Sequence, residues 1–250
     1  MKKFYLSLLL SIFMLTGFQA SSQIIISAMM PNPVSSDSAF EYVQLMATQN
    51  IDFSTTPYSV VLLNNGTVGA KGWANGLNVS YKYNLTSGTV STGDVFYVGG
   101  EGKRIDGTGS TDISSLVWIR AINNVTTTGD DFGNPNATGI FGNGGANADG
   151  VGVFAGTTVD SLSVPIDAMF YGSGIGTAYV AGPPEKGYKM PTNDHYSETA
   201  GLFGSGTNTY FVPATTLQDT LLSFTGTYDT TMNAWTINRT PTKIKLTSSS

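Results

Sequence analysis

The chain contains no cysteine in its 250 residues. That excludes disulfides, a thiolate nucleophile, thiolate metal ligands and a lipid-bearing N-terminal cysteine, so stability has to come from core burial and sheet pairing. Histidine is nearly absent as well. The single His195 would have to carry any Ser-His-Asp arrangement or imidazole metal site, and its setting in Asn193-Asp194-His195-Tyr196-Ser197 is polar and loop-like, as expected for a bystander on the surface. No G-x-S-x-G, H-E-x-x-H or phosphate-binding glycine loop occurs, so the usual signatures of acyl transfer, zinc hydrolysis and nucleotide binding are missing. Charge is also scarce, at 12% of residues, with 12 basic against 17 acidic side chains. This acidic balance disfavours nucleic acid as a partner, because phosphate recognition draws its affinity from clustered lysine and arginine. Paired carboxylates stay open as hydrolase chemistry, since two suitably spaced acids suffice. Only four glutamates are available: Glu41, Glu101, Glu185 and Glu198.

What is present at the N-terminus is an address. Lys2 and Lys3 precede an apolar block over residues 4–15 and then the small residues Ala20, Ser21 and Ser22. This is the three-part pattern of a secretory signal peptide, with cleavage expected after Ser22 so that Ala20 and Ser22 fill the small-residue positions. The block is shorter than the roughly 20 apolar residues of a membrane span. Residues 23–250 are then expected to form a single domain that is secreted or periplasmic, with no membrane span. Loss of Lys2 and Lys3 takes the basic count from 12 to 10 against 17 acids, a net charge of −7.

The mature region reads as β-structure begun by residues 24–45. Ile24-Ile25-Ile26 is a β-branched run that favours the pleated conformation. Pro31 and Pro33 end that strand because proline cannot donate to a ladder. Phe40, Tyr42 and Gln44 then alternate with Glu41, Val43 and Leu45, and neither face is wholly polar, which suits a strand covered on both sides. Further strands are expected over residues 58–63, closed by a turn at Asn64-Asn65-Gly66, and over 79–85, 93–98, 116–122, 151–154, 158–162, 166–171 and 210–212. Residues 233–238 are expected to form the last strand. Helical periodicity is nearly absent, with 215–224 the one candidate helix, and no 20 to 50 residue repeat suggests a solenoid or propeller. Residues 123–148 form a long polar stretch, and a loop of that length in a compact domain tends to be either functional or mobile.

Several short motifs in this order resemble the lamin-tail domain family. They are Ile25-Ile26-Ser27-Ala28, Asn32-Pro33, Glu41-Tyr42-Val43-Gln44-Leu45, the strand at 58–63, Gly93-Asp94-Val95-Phe96-Tyr97-Val98, Asn143-Gly144-Gly145 leading to Phe154, Val159-Asp160-Ser161-Leu162, and Trp235 followed by Thr240-Pro241. Ala28 and Gln44 depart from the family pattern, which often has glutamate at both places. The resemblance implies an all-β, immunoglobulin-like β-sandwich, here with long loop insertions. It also implies a non-catalytic binding or interaction module of the kind found in secreted bacterial proteins, meeting a protein or a cell-surface glycan. Fold analogy alone does not establish function, so a carbohydrate-binding or adhesin-like protein and a carboxylate-based hydrolase stand as alternatives.

Two candidate sites follow from the residues themselves. Asn147-Ala148-Asp149-Gly150 resembles the middle of a calcium loop, although Gly145 and Gly156 stand where the first ligand and the bidentate glutamate belong. Asp130 and Asp131 could complete a calcium site with Asp149; no other cofactor is expected. Trp73, on a Gly- and Asn-rich stretch, could offer a stacking face to a sugar or fold back over the sandwich edge. Trp118 and Trp235 are expected in the core. Arg239, Lys243 and Lys245 are expected to form a solvated tail.

Overall fold

The computed structural model describes residues 23–34, 37, 39–66, 72–76, 79–142, 148–172, 188–189, 191, 210–211, 217–231, 234–235 and 239–246. The signal-peptide reading of residues 1–22, His195, Glu185 and Glu198 fall outside them. In chain order the strands are β1 (Ile24–Met30), β2 (Tyr42–Ala47), β3 (Ile51–Asp52), β4 (Tyr58–Gly66), β5 (Ser80–Leu85), β6 (Thr89–Val90), β7 (Val95–Gly100) and β8 (Trp118–Ile122). They continue with β9 (Ala148–Ala155), β10 (Asp167–Tyr171), β11 (Tyr210–Phe211), β12 (Thr220–Thr225), β13 (Tyr228–Asp229), β14 (Ala234–Trp235) and β15 (Thr240–Lys245). Among the described residues there is no α-helix, only a 3-10 turn at Gly72–Ala74.

The protein is all-β, a sandwich of two main sheets. The first runs β15-β12-β1-β2-β7-β8 and the second β11-β10-β9-β4-β5, with two-stranded pairs β13-β14 and β3-β6 at the margins. The core between the sheets is built by alternation: Ile24, Ile26, Val43, Leu45, Phe96 and Val98 from the first meet Val60, Leu62, Tyr83, Val151 and Val153 from the second. Side chains two residues apart share a strand face, so each strand delivers every second residue to this layer.

The opposite faces are covered too. β7 and β8 run parallel, which demands a crossover, and residues 101–117 supply it across the outer face of the first sheet. There Met30, Tyr42 and Ile113 form a second apolar cluster with Tyr97, Ile105 and Trp118 packed against it. The Tyr42 hydroxyl donates to the Ile105 carbonyl at 3.1 Å. On the outer face of the second sheet Val61, Leu63, Phe154 and Phe170 pack against Trp73 and Tyr188. The open edge of β5 is closed by residues 129–133, where Lys82 N–H donates to the Phe132 carbonyl and Asp130 N–H to the Lys82 carbonyl.

Five local expectations are corrected. Residues 158–162 form a turn rather than a strand, closed on itself by Asp160, whose carboxylate accepts from the Leu162 N–H and the Ser163 hydroxyl. The candidate helix at 215–224 is instead β12 in its described part, because Leu222 and Phe224 alternate into the core. The chain does not end its strands at 233–238: β15 follows and pairs along all of β12. Asn64-Asn65-Gly66 does not close a hairpin; Asn65, with φ 54°, sits at a register shift in the β4-β9 pairing, a bulge rather than a turn. Arg239 is no part of a solvated tail.

Arg239 is buried between the sheets, and its guanidinium forks onto the buried Asp167 carboxylate, with Nη1 to Oδ1 at 3.0 Å and Nη2 to Oδ2 at 3.3 Å. The same two nitrogens also donate to backbone, Nη2 to the Ile26 carbonyl at 3.0 Å and Nη1 to the Ala168 carbonyl at 3.2 Å. Asp167 also accepts from the Ile26 N–H at 2.7 Å. The cation lies over the rings of Trp235 and Phe224. Truncating one partner of such a pair strands an uncompensated buried charge. Arg239→Ala is therefore expected to lower unfolding stability by about 3–5 kcal/mol, read from urea denaturation against wild type.

Candidate functional site

An open groove of about 410 Å³ lies where β1 and β2 meet the loop before β7 and the β13-β14 hairpin. Its floor is Ile25 and Met46, directly paired neighbours on the outer face of the first sheet. One wall carries Thr92 and Gly93, the other Thr227, Tyr228 and Trp235. Tyr228 stands edge-on to Trp235 at 5.8 Å. Trp235 is fixed from behind, because it stacks on Arg239 and its indole N–H points to Asp167 at 3.4 Å. Met46 is also paired with Val95 of β7, so the floor continues into an exposed valine, and the nearby Leu116 and Val117 are exposed as well. Among the described residues no charged side chain lines the groove.

Trp73 is not a stacking platform. It is 1% exposed, enclosed by Phe154, Phe170 and Tyr188 with ring centroids 5.0–5.6 Å away, and its indole N–H donates to the Lys189 carbonyl at 2.8 Å. The apolar outer face of the second sheet, with Val61, Leu63, Phe154 and Phe170, has to be covered, and Trp73 covers it. Trp235 is buried as expected; Trp118 lies on the outer face of the first sheet, half-buried and stacked on Tyr97 at 5.3 Å, rather than in the central core.

The three aspartates proposed for calcium are not gathered at one point. Asp130 takes Arg120 at 2.9 Å and the Asn84 N–H at 2.8 Å, holding residues 129–133 to the edge of β5. Asp131 is bonded to Lys82, whose side chain is buried and also donates to the Thr157 carbonyl, so this carboxylate neutralises a buried ammonium. The ion pair and hydrogen bond with Lys82 hold the Asp131 carboxyl below its usual range. Asp149, on β9, accepts from the Asn65 N–H at 2.7 Å in the bulge. Among the described residues no three of His, Cys, Asp and Glu converge on a point.

A different carboxylate is the unusual one. Glu41, beside the start of β2, is fully buried, and its Oε2 accepts from the backbone N–H groups of Ile140 and Phe141, the latter at 3.2 Å. Burial pushes its carboxyl well above the usual range, the Ile140 N–H opposes that, and the charge of Asp37 adds to it. Because Glu41 is sealed, it does not face an open cleft. The sequence pattern drew attention to Glu41, but nothing marked Asp37, and neither Met46 nor Tyr228 carried any signal of a groove. No family model matches the chain, and neither does any of the curated proteins or solved structures compared with it.

The long stretch from residue 123 is structured up to residue 142. Asn123 caps the turn at 125–127, and the Tyr81 hydroxyl donates to the Thr127 carbonyl at 2.6 Å. Burial, and next the charge of Asp130, push the Tyr81 phenol up to about 12. A phenol whose folded value is raised contributes stability that is complete below the unfolded value of about 10 and is lost as pH climbs through about 12. Between pH 9 and 11.5, Tyr81→Phe should lose less of its urea midpoint than wild type does. Trp73→Ala, by emptying a packed aromatic site, should cost about 3–5 kcal/mol, measured by the same denaturation.

Proposed function

We propose that residues 23–250 form a secreted or periplasmic, non-catalytic interaction module of lamin-tail type that holds an apolar segment of a partner protein in the groove over Ile25 and Met46. The observation that carries this reading is the groove itself: an uncharged, apolar floor on a sheet face, walled by an aromatic pair and threonines, and running into the exposed Val95. Binding sites are concave and mostly apolar with a few placed polar groups, and this one has that make-up. Loops gathered at the end of a sandwich are a recurrent place for recognition.

The lamin-tail reading is supported by where its motifs lie. Ile25-Ile26-Ser27-Ala28 is in β1, Glu41 opens onto β2, Val95 to Val98 are in β7, and Trp235 packs on Arg239 just before Thr240-Pro241 starts β15. The family's Val-Asp-Ser-apolar segment, by contrast, is a turn here. The glycan alternative loses Trp73 and would rest on Tyr228 beside the hydroxyls of Thr92 and Thr227.

Met46→Asp places a charge on the groove floor while its neighbours in the core stay untouched. Residues 23–250, immobilised, should retain a protein from the envelope and secreted material of the source cells. Once that protein is identified and purified, Met46→Asp should bind it roughly tenfold or more weakly, as loss of a buried anchor does at an interface. Equal affinity of the two forms would refute the groove reading. Retention of polysaccharide lost on Tyr228→Ala would establish the glycan alternative instead.

A further inference from the structure

Four methionines fall among the described residues, and one differs from the rest. Met29 and Met30 are wholly buried and Met169 is 2% exposed, whereas Met46 is half-buried and lines the open groove. Alternation along β2 is the reason. Val43, Leu45 and Ala47 enter the central core, so Gln44 and Met46 face outward. Met46 is also held in the middle of the sheet, opposite Ile25 of β1 on one side and Val95 of β7 on the other. Two ladders fix its backbone, which keeps the thioether over the groove.

A thioether is an apolar side chain that peroxide converts into a polar one. The sulfur lone pair attacks one oxygen of hydrogen peroxide, the O–O bond breaks as the S–O bond forms, and a proton shift releases water. Sulfur gives up two electrons and the peroxide takes them. The reverse step, under methionine sulfoxide reductases, uses two thiols, which become a disulfide while the oxygen leaves as water. Exposure selects which methionine reacts, and with no cysteine in the chain no thiol of its own intercepts the oxidant. The aromatic wall is shielded, because Trp235 is 5% exposed and packed on Arg239. The position also separates binding from folding. A sulfoxide at Met46 forms on the face of β2 turned away from Val43, Leu45 and Ala47, so the central core keeps its packing. The floor over Ile25 and Met46, in contrast, gains a strong dipole, and covering that dipole with an apolar segment that offers it no hydrogen bond opposes binding.

We propose that Met46 is a site of reversible oxidation by peroxide, and that its sulfoxide releases the apolar segment held in the groove. The second half rests on the interaction reading above. The first half does not: that peroxide reaches Met46 before Met29, Met30 and Met169 follows from their places in the fold alone.

The test treats residues 23–250 with hydrogen peroxide and follows each methionine by peptide mass mapping. Met46 should gain one oxygen roughly tenfold or more faster than Met29, Met30 or Met169. The partner protein identified by the capture described above should then bind the oxidised form roughly tenfold or more weakly than the untreated form. The urea midpoint should stay in place, and reduction by methionine sulfoxide reductases specific for the two epimers should restore binding. Met46→Leu, whatever its own affinity, should lose none of it on peroxide treatment. Oxidation of Met46 no faster than that of the buried methionines, undiminished binding by the oxidised form, a fall in midpoint that accompanies the lost binding, or an equal loss by Met46→Leu would each overturn the switch. The groove reading is judged separately by Met46→Asp: if that variant binds as wild type does, the groove reading has failed and the switch falls with it.

Discussion

The Asp167-Arg239 pair is the joint on which the sandwich depends. β1 and β12 are paired only at Ala28 and Met29, and β1 carries a register shift between Ile26 and Ala28 against its other neighbour, β2. Ile26 is left with a backbone N–H and C=O that no strand takes. Asp167 accepts the first and Arg239 donates to the second. Asp167 comes from β10 of the opposite sheet and Arg239 from the segment between β14 and β15, so one ion pair closes the first sheet, ties it to the second and anchors the last strand. A buried pair is worth its desolvation only when its lone pairs and protons are otherwise satisfied, and here nearly all are.

The same pair shapes the groove. Arg239 stacks under Trp235, and Trp235 with Tyr228 makes one wall, so the wall is built on an electrostatic pillar rather than on a free loop. The hairpin carrying these aromatics leaves the sheet where β12 diverges from β1, exposing Met46 between the hairpin and the loop before β7. The groove thus lies where the β1–β12 pairing ends and Asp167 and Arg239 take over the backbone of Ile26. At the other end of β2 the sandwich is closed differently, by a long loop laid over a buried glutamate. There Gly139 provides the close approach that any side chain would prevent.

The acidic residues show how far local motifs reach. Asp130, Asp131 and Asp149 stand near glycines and asparagines that look like ligand loops, yet each serves the backbone or a neighbouring cation: Arg120, Lys82 and the bulge at Asn65. Nothing local in the sequence could reveal this, because Lys82 and Asp131 are 49 residues apart and meet only when residues 129–133 fold along β5. Glu41 was legible as a residue of interest from its place in an aromatic-aliphatic strand, whereas its neighbour Asp37 was not. Trp73 shows the converse, a tryptophan on a polar stretch that is needed to cover a hydrophobic sheet face more than 80 residues further on.

Alternation of β-branched and aromatic residues, with prolines and glycines between, determined the all-β class and the positions of β1, β2, β4, β5, β7, β8, β9 and β10, because side-chain direction in a strand is a local property. The absence of cysteine and of clustered histidine likewise set, from composition alone, that packing and ion pairing must hold the fold. Tertiary structure decided the rest. It made β12 a strand where local propensity allowed a helix, added β15 after the expected last strand, and moved Arg239 from a tail into the core. It also brought Met46 beside Tyr228, and Glu41 beside Asp37 under Gly139. These depend on pairings between residues distant in the chain, where burial and charge compensation outweigh local preference.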